Sequence, residues 1–128
     1  MPLTFRRSNR ISRNRDYQAV FNAKLAKPAG PIVIHARPTK NLNNRLGLSI
    51  GRRFGPAHTR NALKRRLREA FRLTQQNFPR PPGANAYDLV ITARPHDGLT
   101  TDDYARLLTK ALAAIDRTVQ KRTDHAQD

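Results

Sequence analysis

Residues 51–72 read Gly-Arg-Arg-Phe-Gly-Pro-Ala-His-Thr-Arg-Asn-Ala-Leu-Lys-Arg-Arg-Leu-Arg-Glu-Ala-Phe-Arg and hold eight Arg or Lys against one acid, Glu69. Charge this dense usually keeps a segment from settling, yet the apolar residues here recur at a helical period. With Arg60 at zero and about 100° per residue, Leu63, Leu67, Ala70 and Phe71 fall between about 280° and 20°. Lys64, Arg68, Asn61, Arg72 and Arg65 fall between about 40° and 140° on the same wheel. The segment can satisfy both patterns only as a helix with one greasy edge and an adjoining cationic edge that contains an amide. A rigid row of guanidinium forks suits a polyphosphate backbone better than a small acid.

The whole chain extends the argument. Twenty-five basic and nine acidic residues among 128 give a net charge of +16, a self-repulsion that a polyanionic partner relieves. The distribution is lopsided: residues 1–85 hold 19 basic and 2 acidic side chains, net +17, and residues 86–128 hold 6 and 7, net −1. A partner is therefore expected against the first two-thirds. With 38% apolar residues, the chain can build one modest core. The lack of cysteine excludes disulfides, thiolate catalysis and cysteine-based zinc sites. No apolar run approaches the roughly 18 residues of a membrane span, and the Arg-rich start lacks the apolar region of a secretory signal. A cytoplasmic location is expected.

Local patterns predict one α+β domain over 1–128. Residues 1–13 read as an extended basic arm. A short helix over 15–23, capped by Asn14, carries Tyr17, Val20 and Phe21 on one face. Pro28, Gly30 and Pro31 break the chain. Strands are expected over 31–37, ended by Pro38, and over 45–52, the two forming a hairpin with a loose loop. The basic helix follows over 59–78, capped by Thr59 or the residue before it and ended by Pro79, Pro81, Pro82 and Gly83. A third strand covers 87–93. A closing helix covers 101–122, with Tyr104, Leu107, Leu108, Ala111, Leu112 and Ile115 as its stripe and Asp102 and Asp103 favouring its start. Residues 123–128 are expected to fray.

Tyr17 and Phe21 share a helical face, a spacing that serves a core as readily as a ligand surface. Beside Arg13 and Arg15 the pair can also stack unpaired bases. His35 is placed mid-strand, on the opposite face from Val33 and outward. Protein-based catalysis finds little support. His35, His58, His96 and His125 show no metal-ligand spacing. Asp97, Asp102 and Asp103 admit a two-metal nuclease, but an acidic pair opening a helix is more commonly a dipole cap. Gly47, Gly51 and Gly55 lack the Lys-Ser/Thr that completes a phosphate loop.

The order of these features resembles the protein subunit of bacterial ribonuclease P. The resemblance rests on Asn14-Arg15-Asp16-Tyr17-Gln18-Ala19-Val20-Phe21, then Ile32-Val33-Ile34-His35 and Arg45-Leu46-Gly47-Leu48-Ser49-Ile50. Arg60-Asn61, Lys64-Arg65, Leu67-Arg68, Phe71-Arg72 and Tyr87-Asp88-Leu89-Val90-Ile91 complete it. It implies a small sheet of three or four strands packed with helices, ribosomal protein S5 domain 2-like, with a left-handed βαβ crossover against the usual rule. It also implies a non-catalytic subunit of an endoribonuclease that removes the 5′ leader of precursor tRNA. The chemistry would be carried by a catalytic RNA with Mg²⁺ held mainly by RNA and substrate.

In that family's terms Arg60, Asn61, Lys64, Arg65, Arg68 and Arg72 would face the catalytic RNA. Arg13, Tyr17, Phe21, His35, Arg52 and Arg53 would hold the leader. The chain departs from the family pattern at Ala62, where a second Arg is usual, and at His35, where an aromatic is usual. Two other classes remain open: a ribosomal-type RNA-binding protein, and a self-sufficient nuclease built on Asp102 and Asp103. A DNA-binding helix-turn-helix is disfavoured, since no second short helix precedes the basic one at the required spacing.

Overall fold

The computed structural model describes residues 7–96 and 98–127, with side chains to Asp124. Helix α1 (Asn14–Asn22) is followed by β1 (Ala26–Ala29), β2 (Ile32–Thr39) and β3 (Arg45–Ser49), then α2 (Ala57–Thr74), β4 (Ala86–Ala93) and α3 (Thr101–Gln127). Short 3-10 turns occupy Arg7–Asn9, Arg52–Phe54 and Gln75–Asn77. The four strands form one mixed sheet in the order β1-β2-β4-β3. β1 with β2 and β2 with β4 are antiparallel, whereas β3 and β4 are parallel and joined through α2.

β4 lies inside the sheet, and its residues from Ala86 to Ile91 are all buried. One face of the sheet presents Ile32, Ile34, Ala36, Leu46, Leu89 and Ile91 to α2 and α3. Leu63, Leu67, Ala70 and Phe71 of α2 fill that core, as the wheel requires, beside Tyr104, Leu108, Leu112 and Ile115 of α3. Deep in it the Tyr87 hydroxyl donates to Asp116 Oδ1 at 2.6 Å; Gln120 Nε2 donates to the other carboxylate oxygen at 2.9 Å. Burial, helped by Asp116, pushes the Tyr87 phenol well up, so it stays a donor. The opposite face carries α1 and a second cluster of Ile11, Val20 and Val90, with Tyr17 and Phe21 packed on it.

Several sequence expectations are corrected. β2 and β3 do not form a hairpin, because β4 pairs between them. The hairpin is β1–β2, turning at Gly30, whose φ of 58° suits glycine. Pro28 concealed β1, but an edge strand tolerates proline. β2 also continues past Pro38 to Thr39. Ala36, of the same parity, aims its N–H at Leu25 on the β1 side, and β1 pairs no further along β2 than His35. The N–H that Pro38 lacks would therefore have met no strand.

The helix boundaries also move. Asn14 and Thr59 make no cap: α1 starts at Asn14 after Arg13, α2 starts at Ala57 after Pro56, and neither has a side-chain cap bond. Of the Asp pair, Asp103 serves as a cap. Thr100 Oγ1 accepts from the Asp103 N–H at 3.1 Å, and Asp103 Oδ2 accepts from the Thr100 N–H at 2.9 Å. Those bonds hold the Asp103 carboxyl below its ordinary range. α3 then runs to Gln127, past the expected end at 122. The basic arm is not simply extended: after the turn at Arg7–Asn9, Arg10 pairs with Leu46 along the free edge of β3. The rest of that arm, 1–6, and Asp97 lie outside the described residues.

Candidate RNA interface

The outer face of the sheet is built on period two. His35 lies opposite Val90, Val90 opposite Gly47, and Val33 opposite Thr92. His35 therefore faces outward, as expected, but together with Val33; the expected separation of the two is wrong, since a two-residue step returns to the same face. α1 lays its aromatic pair across this surface. Phe21 meets His35 edge-on, ring centroids 4.8 Å apart, and His35 Nε2 lies 3.4 Å from Thr92 Oγ1. Burial lowers the pKa of His35 from 6.5 and so favours the neutral ring.

Tyr17 lies over Gly47. A Cβ at that position would come within 2.7–2.9 Å of the phenol ring and its oxygen, so only glycine admits the ring. The Leu48 N–H donates to the Tyr17 hydroxyl at 3.2 Å, which ties α1 to the edge of β3. Sequence analysis missed Gly47, although a glycine inside a strand already signals close approach.

The cationic edge of α2 opens onto the same place. Lys64 and Arg68 line a cleft of about 210 Å³ together with Arg10, Tyr17, Gly47 and Leu48. Asn61 and Arg65 are exposed next to them on the wheel, and Ala62 is half-buried outside the stripe. Two members of the expected set are engaged elsewhere. Arg60 Nε donates to the Gly55 carbonyl at 3.1 Å. Arg72 pairs with Glu69, Nε to Oε2 being 2.9 Å, and that pairing holds the Glu69 carboxyl below its usual range. Among the described residues, Lys64, Arg65 and Arg68 have no acid within ion-pair distance.

A further charged group was not anticipated. Asp88, fully buried on the outer face, accepts two bonds from Arg45, at 2.8 Å from Nε and 2.7 Å from Nη2. Arg37 Nη2 stands 3.6 Å from the same carboxylate, and Arg45 Nη1 reaches Asp16 of α1 at 3.7 Å. These bonds, Asp88 first, hold the Arg45 guanidinium above its ordinary range. The register that sets Asp88 between Arg37 and Arg45 is a long-range fact no local pattern shows. Arg13, at the N-cap of α1, and Arg52 and Arg53, in the turn after β3, are exposed.

The family model for ribonuclease P matches residues 5–119. The chain belongs to the ribonuclease P protein family. The ribonuclease P protein component of Haemophilus influenzae is 33% identical over 121 residues, covering 93% of this chain and 97% of that relative. That of Staphylococcus epidermidis is 34% identical over 86 residues, 66% of this chain and 70% of the relative. The solved Staphylococcus aureus ribonuclease P protein superposes with a TM-score of 0.67 at 27% identity, covering 83% of this chain and 94% of that one. The Thermotoga maritima protein gives 0.59 at 26%, covering 84% and 96%. Membership makes this chain a protein component of a ribonucleoprotein, with an RNA subunit as partner. Among the described residues no helix is long and apolar enough to cross a membrane, and no three His, Asp or Glu side chains gather to hold a metal ion.

Proposed function

We propose that the chain binds the catalytic RNA through the cationic edge of α2 and the 5′ leader of precursor tRNA through the outer face under α1. The observation that carries this reading is the shared cleft. Lys64 and Arg68, the centre of the stripe, line the same groove as Tyr17, so a strand leaving one surface enters the other without crossing the core. Arg60, Asn61, Arg65 and Arg72 extend the RNA-facing edge, with Arg60 and Arg72 releasing their internal partners on contact. Glu69 is half-exposed, so its pair with Arg72 is a solvent-screened one that offers modest resistance.

Phosphate contacts position a strand without reading its sequence, and stacking on Tyr17, Phe21 and His35 tolerates any base. Arg13, Arg52 and Arg53 would hold leader phosphates at the rim. That combination suits a protein that handles many different leaders. Its contribution is proximity: holding the leader fixes the scissile phosphate relative to the RNA that cleaves it. Mg²⁺, held mainly by RNA and substrate, would supply the hydrolytic chemistry. The setting is the cytoplasm, where precursor tRNA is processed.

The test is cleavage of a precursor tRNA at moderate salt with protein alone, bacterial ribonuclease P RNA alone, and both. Cleavage at the mature 5′ end should require the RNA and rise sharply with the protein. Arg65→Ala and Arg68→Ala should each lower the salt slope of RNA-subunit binding by about one. Tight RNA binding without stimulation would favour a ribosomal-type role, and cleavage by the protein alone would overturn the proposal.

A further inference from the structure

Counted along the chain, charge assigns the partner to residues 1–85, because 86–128 carry a net −1. Folding undoes that division. β1 and α3 pack together along the edge of the sheet opposite β3. Between them runs a groove in two connected parts, of about 180 and 390 Å³, which share Lys27 and Ala114 in their walls. Lys24 and Lys27 reach it from the hairpin side, and Lys110, Arg117 and Arg122 from α3.

All five cations are exposed, and no acid lines the groove. Among the described residues none of the five has an acid within ion-pair distance. The nearby acids of α3 are engaged or lie beyond the groove. Asp103 holds Thr100 and Arg106, Asp116 holds Tyr87 and Gln120, and Asp124 lies past the last lining residue. The floor, Ala29, Leu107, Ala111 and Ala114, is apolar, and no aromatic ring lines either part. Such a surface can hold phosphates and pack sugars but cannot stack bases.

We infer that the β1–α3 groove is a second RNA-backbone site, holding a phosphodiester strand without sequence preference. β1 and β3 are three strand spacings apart, roughly 14 Å, so the groove and the α2 edge take separate RNA segments and the protein ties them together. An acidic protein segment is the weaker fit, because five unpaired cations on an otherwise featureless floor offer nothing to recognise side chains.

The experiment is an NMR titration of the full-length chain with 5′-phosphorylated diuridylate, whose two phosphates lie closer together than the two edges do. Amides of Lys27, Ala29 and Gly30 and of residues 110–117 should shift and saturate independently of those in α2. The triple variant Lys27→Ala/Lys110→Ala/Arg117→Ala should lose the first set and keep the second; Arg65→Ala/Arg68→Ala should do the reverse. Each groove phosphate contact should contribute about 0.7 to the salt slope. Shifts confined to α2 and α1 would overturn the inference while leaving the leader and RNA-subunit assignments standing. So would a triple variant with unchanged groove shifts, or groove saturation by inorganic phosphate or hexaglutamate at matched concentration of charge.

Discussion

The two faces of the sheet are made from the same four strands and solve opposite problems. On the inner face, among the described residues, twenty buried residues, most of them from the sheet, α2 and α3, form one continuous apolar cluster. On the outer face the buried cluster has three members and is covered by a single nine-residue helix. What α1 leaves uncovered is polar and structured: the Arg37–Asp88–Arg45 group, His35 with Thr92, and the cleft beside Tyr17. The inner face is closed and supplies the folding energy, and the outer face keeps room for a ligand. Cations differ in the same way. Those under α1 are held by a buried carboxylate, whereas Lys64, Arg65 and Arg68 face solvent without one.

The largest effect expected from breaking this comparison lies inside. Phe71 is fully buried between α2 and its neighbours, in edge contact with Phe78 at 5.8 Å. Phe71→Ala should cost about 3–5 kcal/mol in urea unfolding, from lost transfer energy and the cavity left behind. A cost below about 1 kcal/mol would mean that the inner face is not the main source of stability. The outer face has its own structural centre in Asp88. Asp88→Ala strands Arg45 in a half-buried site, and removing one member of a buried pair typically costs about 3–5 kcal/mol. The lower end is expected, because Arg45 keeps 20% of its side-chain surface in water and can turn outward. An unchanged urea midpoint would make the group a surface pair of no consequence.

Gly47 and Tyr17 separate structure from binding on the outer face. Gly47→Ala drives a methyl into the Tyr17 ring and should cost about 1–3 kcal/mol of stability as the ring is displaced. Tyr17→Ala should cost roughly 1–3 kcal/mol of precursor-tRNA binding through the lost stack, while mature tRNA binding is spared. Equal losses for both ligands would show that Tyr17 serves only the fold.

How much of this was legible follows from the range of the interactions. The α2 wheel sorted Leu63, Leu67, Ala70 and Phe71 from Lys64, Arg65 and Arg68 correctly, because helical burial repeats every few residues along one segment. The same holds for the α3 stripe and for the pairing of Tyr17 with Phe21. Strand order was not legible. Nothing near β2 or β3 reveals that β4, about 40 residues further on, pairs between them. β1 was hidden by a proline that only its edge position permits. The β1–α3 groove was invisible for the same reason: its cations come from halves of the chain that a linear count keeps apart. Gly47 is the exception, a local signal that only the tyrosine above it explains.

The smallest effect tests the outer face by its titration. Burial lowers the pKa of His35 below 6.5, so in the window just under that value the unfolded chain binds the proton more readily than the folded one. Stability from this residue is therefore full above about pH 6.5, declines as pH falls toward the folded-state pKa, and levels off below it. The inner-face cluster contains no histidine and supplies no such slope. His35→Phe keeps a ring against Phe21 and removes the titrating group. Urea midpoints of both proteins between about pH 5 and 7.5 should diverge on the acid side, with the wild type losing more. Parallel curves would mean that His35 is hydrated in solution and that the outer face is more open than its packing against Phe21 implies. Divergence, together with leader binding that strengthens in the variant, would place the ring among the groups that grip the strand, since an apolar aromatic stacks on bases better than a neutral imidazole held by Thr92.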